Sequence, residues 1–129
     1  MSRIESGGAP AAIGPYSQAV RAGDWLFVSG QIPLDPVSGQ LVEGDVARQM
    51  VRVLENIGAI LAAAGVGFGA VVKSTLYLVD MGDFTAVNEV YARFFVPPFP
   101  ARATVGVAAL PKGARVEMEV VAHLVKEVR

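Results

Sequence analysis

Three short segments concentrate the residue types that hold or react with small molecules. Gly14-Pro15-Tyr16-Ser17-Gln18-Ala19 and Val28-Ser29-Gly30-Gln31-Ile32-Pro33 set hydroxyls and amides beside glycines. The third segment runs Phe99-Pro100-Ala101-Arg102-Ala103-Thr104-Val105 and continues through Leu110-Pro111 to Val116-Glu117-Met118-Glu119. Arg102 follows Pro100 at the start of an expected strand, where its alternation partners are Thr104 and Gly106. With so little beside it, a guanidinium suits a planar carboxylate held by two parallel hydrogen bonds. The alternative is a structural ion pair with one of the twelve acidic residues, and the pattern does not choose. Glu117 alternates with core-type valine and methionine. It is exposed, paired, or partly buried with a raised pKa and available for proton transfer. Glu119 lies on the same face as an equal rival, and a solvated strand face would account for both. Tyr16, taken alone, reads as a packing aromatic with a polar tip.

Two other features carry no chemistry on inspection. Gly65-Val66-Gly67-Phe68-Gly69 looks like a phosphate-binding loop but follows a helix and precedes a strand. A dinucleotide fingerprint needs the opposite order, and its last glycine position is Ala70 here, so the run reads as a helix stop and a turn. His123 is the single histidine, and there is no cysteine, so a zinc site would have to be built almost wholly from carboxylates. No metal site is expected. A Ser-His-Asp arrangement is allowed by count, but His123 sits mid-strand and no nucleophile-elbow pattern accompanies any serine. It reads as a strand histidine at an interface or edge.

The elements that must position these residues are legible in outline. Val20 to Ser29 reads as a hairpin turning at Ala22-Gly23-Asp24, and Pro33, Pro36 and Gly39 enforce a loop after it. From Asp45 to Ala64, apolar residues at Val46, Met50, Val53, Leu54, Ile57, Ile60, Leu61 and Ala64 keep helical spacing. Arg48, Gln49, Arg52, Glu55 and Asn56 take the other side, and Gly65 stops the helix. Val71 to Val79 reads as a strand. Asp80 and Asp83 offer caps for a second helix with the stripe Phe84, Val87, Tyr91, Phe94 and Phe95, ended by Pro97-Pro98. Ala103 to Ala108 and Val116 to Val125 complete a β-β-α-β-α-β-β order: an α+β fold, a mixed sheet with two helices on one face. In the last strand Val116, Met118, Val120, Ala122 and Leu124 share one face, and Glu117, Glu119, Val121, His123 and Val125 the other. Two helices cover one side of such a sheet, so the second face calls for a neighbouring subunit.

Composition points the same way. The 129 residues suit a single domain over 1–129, with no repeat, low-complexity tract or linker. The chain is 53% hydrophobic and 18% charged, against about 45–50% and about 25% for an average globular domain. In so short a chain part of the apolar excess is expected in a subunit interface. Eleven basic and twelve acidic residues are scattered, without the basic stretch of a nucleic-acid binder. The absence of cysteine rules out disulfides and thiolate catalysis. MSRIESGGAP has no apolar core, so no signal peptide is expected. No apolar stretch nears the about 20 residues that cross a membrane. A cytoplasmic location is the default expectation.

The three segments, with EGDVARQMVRVLENIGAILAAAG between them, resemble the Rid (YjgF-like) family of reactive intermediate deaminases. The resemblance runs nearly end to end. Its most specific part is Pro100-Ala101-Arg102, an apolar strand, and then Val116-Glu117-Met118. It implies a chorismate-mutase-like fold and a homotrimer with a site between each pair of subunits. It implies hydrolysis of 2-aminoacrylate, 2-iminobutyrate and similar enamines or imines, shed by pyridoxal-phosphate enzymes, to 2-keto acids and ammonia. No cofactor is implied. Carried over by position, Arg102 would clamp the substrate carboxylate, helped by the backbone N–H of Gly30. The backbone carbonyl of Thr104 would meet the imine nitrogen, and Glu117 would hold the attacking water. Tyr16, Ser29 and Asn88 would line the site. Thr104 stands where many members have cysteine; a backbone role should survive that change. The competing readings are a non-catalytic trimer that binds 2-keto acids or amino-acid derivatives, and a ribonuclease or translation inhibitor.

Overall fold

The computed structural model describes residues 1–125, so the last four residues of the expected 1–129 domain lie outside it. Six strands form one sheet: β1 (Ser2–Ile4), β2 (Ala19–Ala22), β3 (Trp25–Gln31), β4 (Val71–Leu78), β5 (Ala101–Gly106) and β6 (Val116–His123). Their order across the sheet is β1-β2-β3-β6-β4-β5. The β4–β5 pair is parallel and the other four are antiparallel, which makes the sheet mixed as expected. The parallel pair exists because α2 (Phe84–Phe94) crosses over between β4 and β5.

The long helix α1 (Val46–Ala63) forms where the apolar spacing places it. Asp45 caps it by accepting the Arg48 N–H at 2.9 Å. Gly65, with φ at +81°, supplies the left-handed residue that ends it. Its apolar stripe is buried against β3, β6 and α2. Leu26 and Val28 of β3, Leu76 and Leu78 of β4, and Val116, Met118, Val120 and Ala122 of β6 form the sheet side of that core.

Four expectations need correction. Gln49 and Asn56 are buried rather than on the outer side of α1. Both work as polar struts: the Arg115 N–H donates to Gln49 Oε1 at 3.0 Å, and Asn56 Nδ2 donates to the Leu34 carbonyl at 3.1 Å. The second helix buries Val87, Val90 and Tyr91, whereas Phe84 stays exposed. Asp83 does not cap α2 with its side chain, because both its carboxylate oxygens accept from Arg115. Asp80 caps the single 3₁₀ turn before it. Finally, β5 begins two residues earlier than expected and β6 ends two residues earlier, and β1 adds a strand too short to show any periodicity.

The register fixes which residues share a face. Glu117 stands opposite Tyr77 and Glu119 opposite Thr75, on the face away from the helices. Trp25 and Phe27 of β3 lie on the same open face, about half exposed.

Candidate active site

The sheet divides the expected site residues into two groups on opposite faces. Tyr16, Gly30 and Glu117 line a cavity of about 340 Å³, together with Ile32, Leu34 and Lys112. The walls are largely apolar, and Glu117 brings a carboxylate into them. Burial raises its pKa above the ordinary carboxylate range, and the neighbouring Glu119 charge adds to the rise. The approach of Gly30 explains its lack of a side chain: a Cβ there would sit 2.8 Å from Glu117 Oε2. Ser29 and Gly30 fall where the β3–β6 register shifts between Val28 and Gln31, a bulge that re-aims the backbone beside the carboxylate.

The loop bearing Tyr16 is held by two polar anchors. Ser29 Oγ donates to the Ser17 carbonyl at 2.6 Å, so its hydroxyl braces the loop. Gln18, buried, donates to the carbonyls of Ser6, Ala9 and Pro10 and accepts the Ser6 N–H at 2.7 Å. Tyr16 itself remains half exposed at the cavity rim. Glu119 is in a different position from Glu117. Its Oε1 accepts the Tyr77 hydroxyl at 2.5 Å, and it faces a smaller groove over the open sheet face.

The second group surrounds Arg102 on the other face, at the edge strand. Arg102 pairs in register with Ser74, and Thr104 with Leu76, both of which are buried on the helix side. Arg102 Nη1 donates to Asn88 Oδ1 at 2.8 Å. Its Cζ lies 4.8 Å from the Tyr91 ring centroid and 5.6 Å from that of Phe84. Tyr91 is braced in turn by a 2.8 Å hydrogen bond with Ser74 and by stacking on Phe95. Among the described residues no carboxylate pairs with Arg102. The ion-pair alternative finds no partner among them. A neutral amide and two ring faces fix the guanidinium while leaving its charge for an anion.

Sequence reasoning missed four contributors. The Tyr91 and Phe84 rings were legible only as a helix stripe, although with Asn88 they form one surface of α2. Lys112 carried no signal of its own; it holds a left-handed backbone, φ 58°, at the cavity wall and donates to the Gly39 carbonyl at 3.3 Å. Gln18 lay in a segment singled out from the sequence, but nothing there marked it as an anchor. His123 packs its ring against Trp25, with centroids 4.6 Å apart, as a strand histidine does. No group of residues suited to hold a metal occurs among the described residues. No helix among them is long and apolar enough to cross a membrane.

An α+β sheet with an unpaired arginine on one face and a carboxylate in an apolar cavity on the other defines a small-molecule protein of the chorismate-mutase-like class. A model of the family described as Endoribonuclease L-PSP matches residues 6–124, and the chain belongs to this family, also named Rid or YjgF-like. A 2-iminobutanoate/2-iminopropanoate deaminase of Capra hircus is 56% identical over 92% of this chain and 87% of its own length. The crystal structure of RidA from an Antarctic Psychrobacter species superposes with a TM-score of 0.92 at 46% identity, covering 95% of this chain and 99% of that one. Escherichia coli TdcF with bound serine gives 0.90 at 42% identity, covering 95% and 98%.

Proposed function

We propose that this chain is a 2-iminobutanoate/2-iminopropanoate deaminase. It hydrolyses reactive imines and enamines released by pyridoxal-phosphate enzymes to 2-keto acids and ammonia, as a cytoplasmic homotrimer. The observation that carries the reading is the split of the site. Among the described residues no acidic side chain pairs with Arg102 on one sheet face and no basic one with Glu117 on the other, which supports a site completed by a second copy. Two copies packed with the β5 edge of one against the open, partly apolar face of the other would bring one copy's Arg102, Asn88 and Thr104 to another's Tyr16, Ser29, Gly30 and Glu117. Names given to relatives support the activity, and the serine bound in the Escherichia coli neighbour supports an amino-acid-sized ligand.

In this reading Arg102 clamps the substrate carboxylate and the Gly30 N–H assists. The Thr104 carbonyl accepts from the imine nitrogen. Glu117 takes a proton from a water as its oxygen attacks the imine carbon. It then returns the proton to nitrogen; as the carbon–nitrogen bond breaks, the new hydroxyl becomes the keto carbonyl and gives its proton to the departing ammonia, which leaves as ammonium. An iminium is already electrophilic, so positioning it against one water is sufficient chemistry. The raised proton affinity of Glu117 suits this two-way role.

Generating 2-iminobutanoate with threonine dehydratase, and following its decay with and without the protein, tests the activity. Acceleration by the protein supports the reading; unchanged decay with tight keto-acid binding would leave a non-catalytic binding trimer. The ribonuclease reading has against it a net charge of −1 and scattered basic residues.

A further inference from the structure

We infer that Tyr77 and Glu119 act as a tuning pair for Glu117, the tyrosine hydroxyl pinning a carboxylate charge beside the catalytic one and so strengthening it as a proton acceptor. The inference rests on the reading of Glu117 as the group that activates water. Its basis is geometric. Tyr77 stands directly opposite Glu117 in the β4–β6 register, yet its hydroxyl reaches past that partner to Glu119 Oε1 at 2.5 Å. Glu117 and Glu119 are alternate residues on one strand face, a spacing of about 7 Å. A fixed anion at that distance disfavours a second one, so Glu117 holds its proton to higher pH and is the better base when ionised. Without the hydroxyl, the Glu119 carboxylate would lose the contact that fixes it beside Glu117, and the effect would fade.

The electrostatics agree with this arrangement. Glu119 contributes to the rise at Glu117 after burial. The hydrogen bond to Glu119, then burial and the two carboxylate charges, push the Tyr77 phenol up to about 12. The phenol therefore keeps its proton, and remains a donor, throughout the working range. The other titratable groups lining the Glu117 cavity are Tyr16 and Lys112. Lys73 shares the groove with Glu119, and in the proposed trimer a second copy's Arg102 would face Glu117.

Carbon-13 NMR of labelled glutamate carboxyls, with Glu117 assigned by its loss in Glu117→Gln, reads the tuning directly in the intact protein. Glu119→Gln should lower the Glu117 midpoint by about half a unit. Tyr77→Phe should lower it by less and should add nothing in the Glu119→Gln background, because the tyrosine acts only through Glu119. The acidic limb of kcat/KM for 2-iminobutanoate should move in the same order. An unchanged midpoint in Glu119→Gln overturns the inference. So does an equal Tyr77→Phe effect in both backgrounds, which would mark the tyrosine as merely structural. Midpoints that move while the kcat/KM limb stays fixed would instead overturn the assignment of Glu117 as the base.

Discussion

Glu117→Gln preserves the size of the side chain and most of its hydrogen bonding while removing the proton acceptor. The catalytic rate on 2-iminobutanoate should fall by about 10²-fold or more, while keto-acid affinity, set by Arg102, changes little. Glu119→Gln should cost far less at neutral pH. Glu117→Gln also exposes a cost of function. A carboxyl whose pKa is raised on folding binds protons more tightly in the native chain than in the unfolded one. Stability therefore falls as pH rises from the ordinary carboxylate range through the native value. At equal protein concentration, Glu117→Gln should have a higher Tm than the parent near neutrality and the same Tm below about pH 4. A parent that is the more stable at neutral pH would contradict the burial of an ionised Glu117. Arg102→Ala should abolish turnover with the fold intact, and Arg102→Lys should rescue poorly, since a point charge cannot reproduce a fork lying over two rings. Full activity in the lysine variant would mean that charge alone suffices. Side-chain alternation left Glu117 and Glu119 equivalent. The Tyr77 hydroxyl, 42 positions away in the chain, distinguishes them, and no local pattern encodes such a contact.

The elements were more legible than their edges. Helical spacing identified α1 because burial of a continuous stripe demands it, and both helices and every strand except β1 follow from the same periodicities. The buried amides of α1 were not legible, because a polar residue carries no mark of the carbonyl it will meet. Asn56→Leu should test that strut. It leaves the Leu34 carbonyl without its donor and should cost about 1–3 kcal/mol in urea unfolding. An unchanged midpoint would show that water replaces the amide. Gly30 belongs to the bulge in β3, and its importance lies in what it leaves empty. In Gly30→Ala the flexible end of Glu117 can move aside from the new Cβ, so folding should survive while turnover falls through misplacement of the carboxylate. Thermal unfolding and kcat measured on the same sample check both halves of that expectation.

On the scale of the whole molecule, the apolar excess in the composition finds its place on the open sheet face. Trp25, Phe27 and Val105 are each more than 40% exposed there in a single copy. Light scattering at micromolar concentration should report about three times the chain mass, and a stable monomer would remove the second copy on which the proposed site depends. The opposite placement of Arg102 and Glu117 could not be read from the sequence, since faces depend on register and on which strands become neighbours. That placement is the central claim, and mixed trimers test it most directly. Arg102→Ala should be inactive alone, and Glu117→Gln should keep at most about a hundredth of the activity. Co-expressed in equal amounts, they should form trimers in which the intact Glu117 of one chain meets the intact Arg102 of another. About a quarter of the interfaces would then be complete, with activity recovered in proportion. Mixed trimers that form, as shown by mass spectrometry, and yet remain inactive would contradict a site shared between subunits.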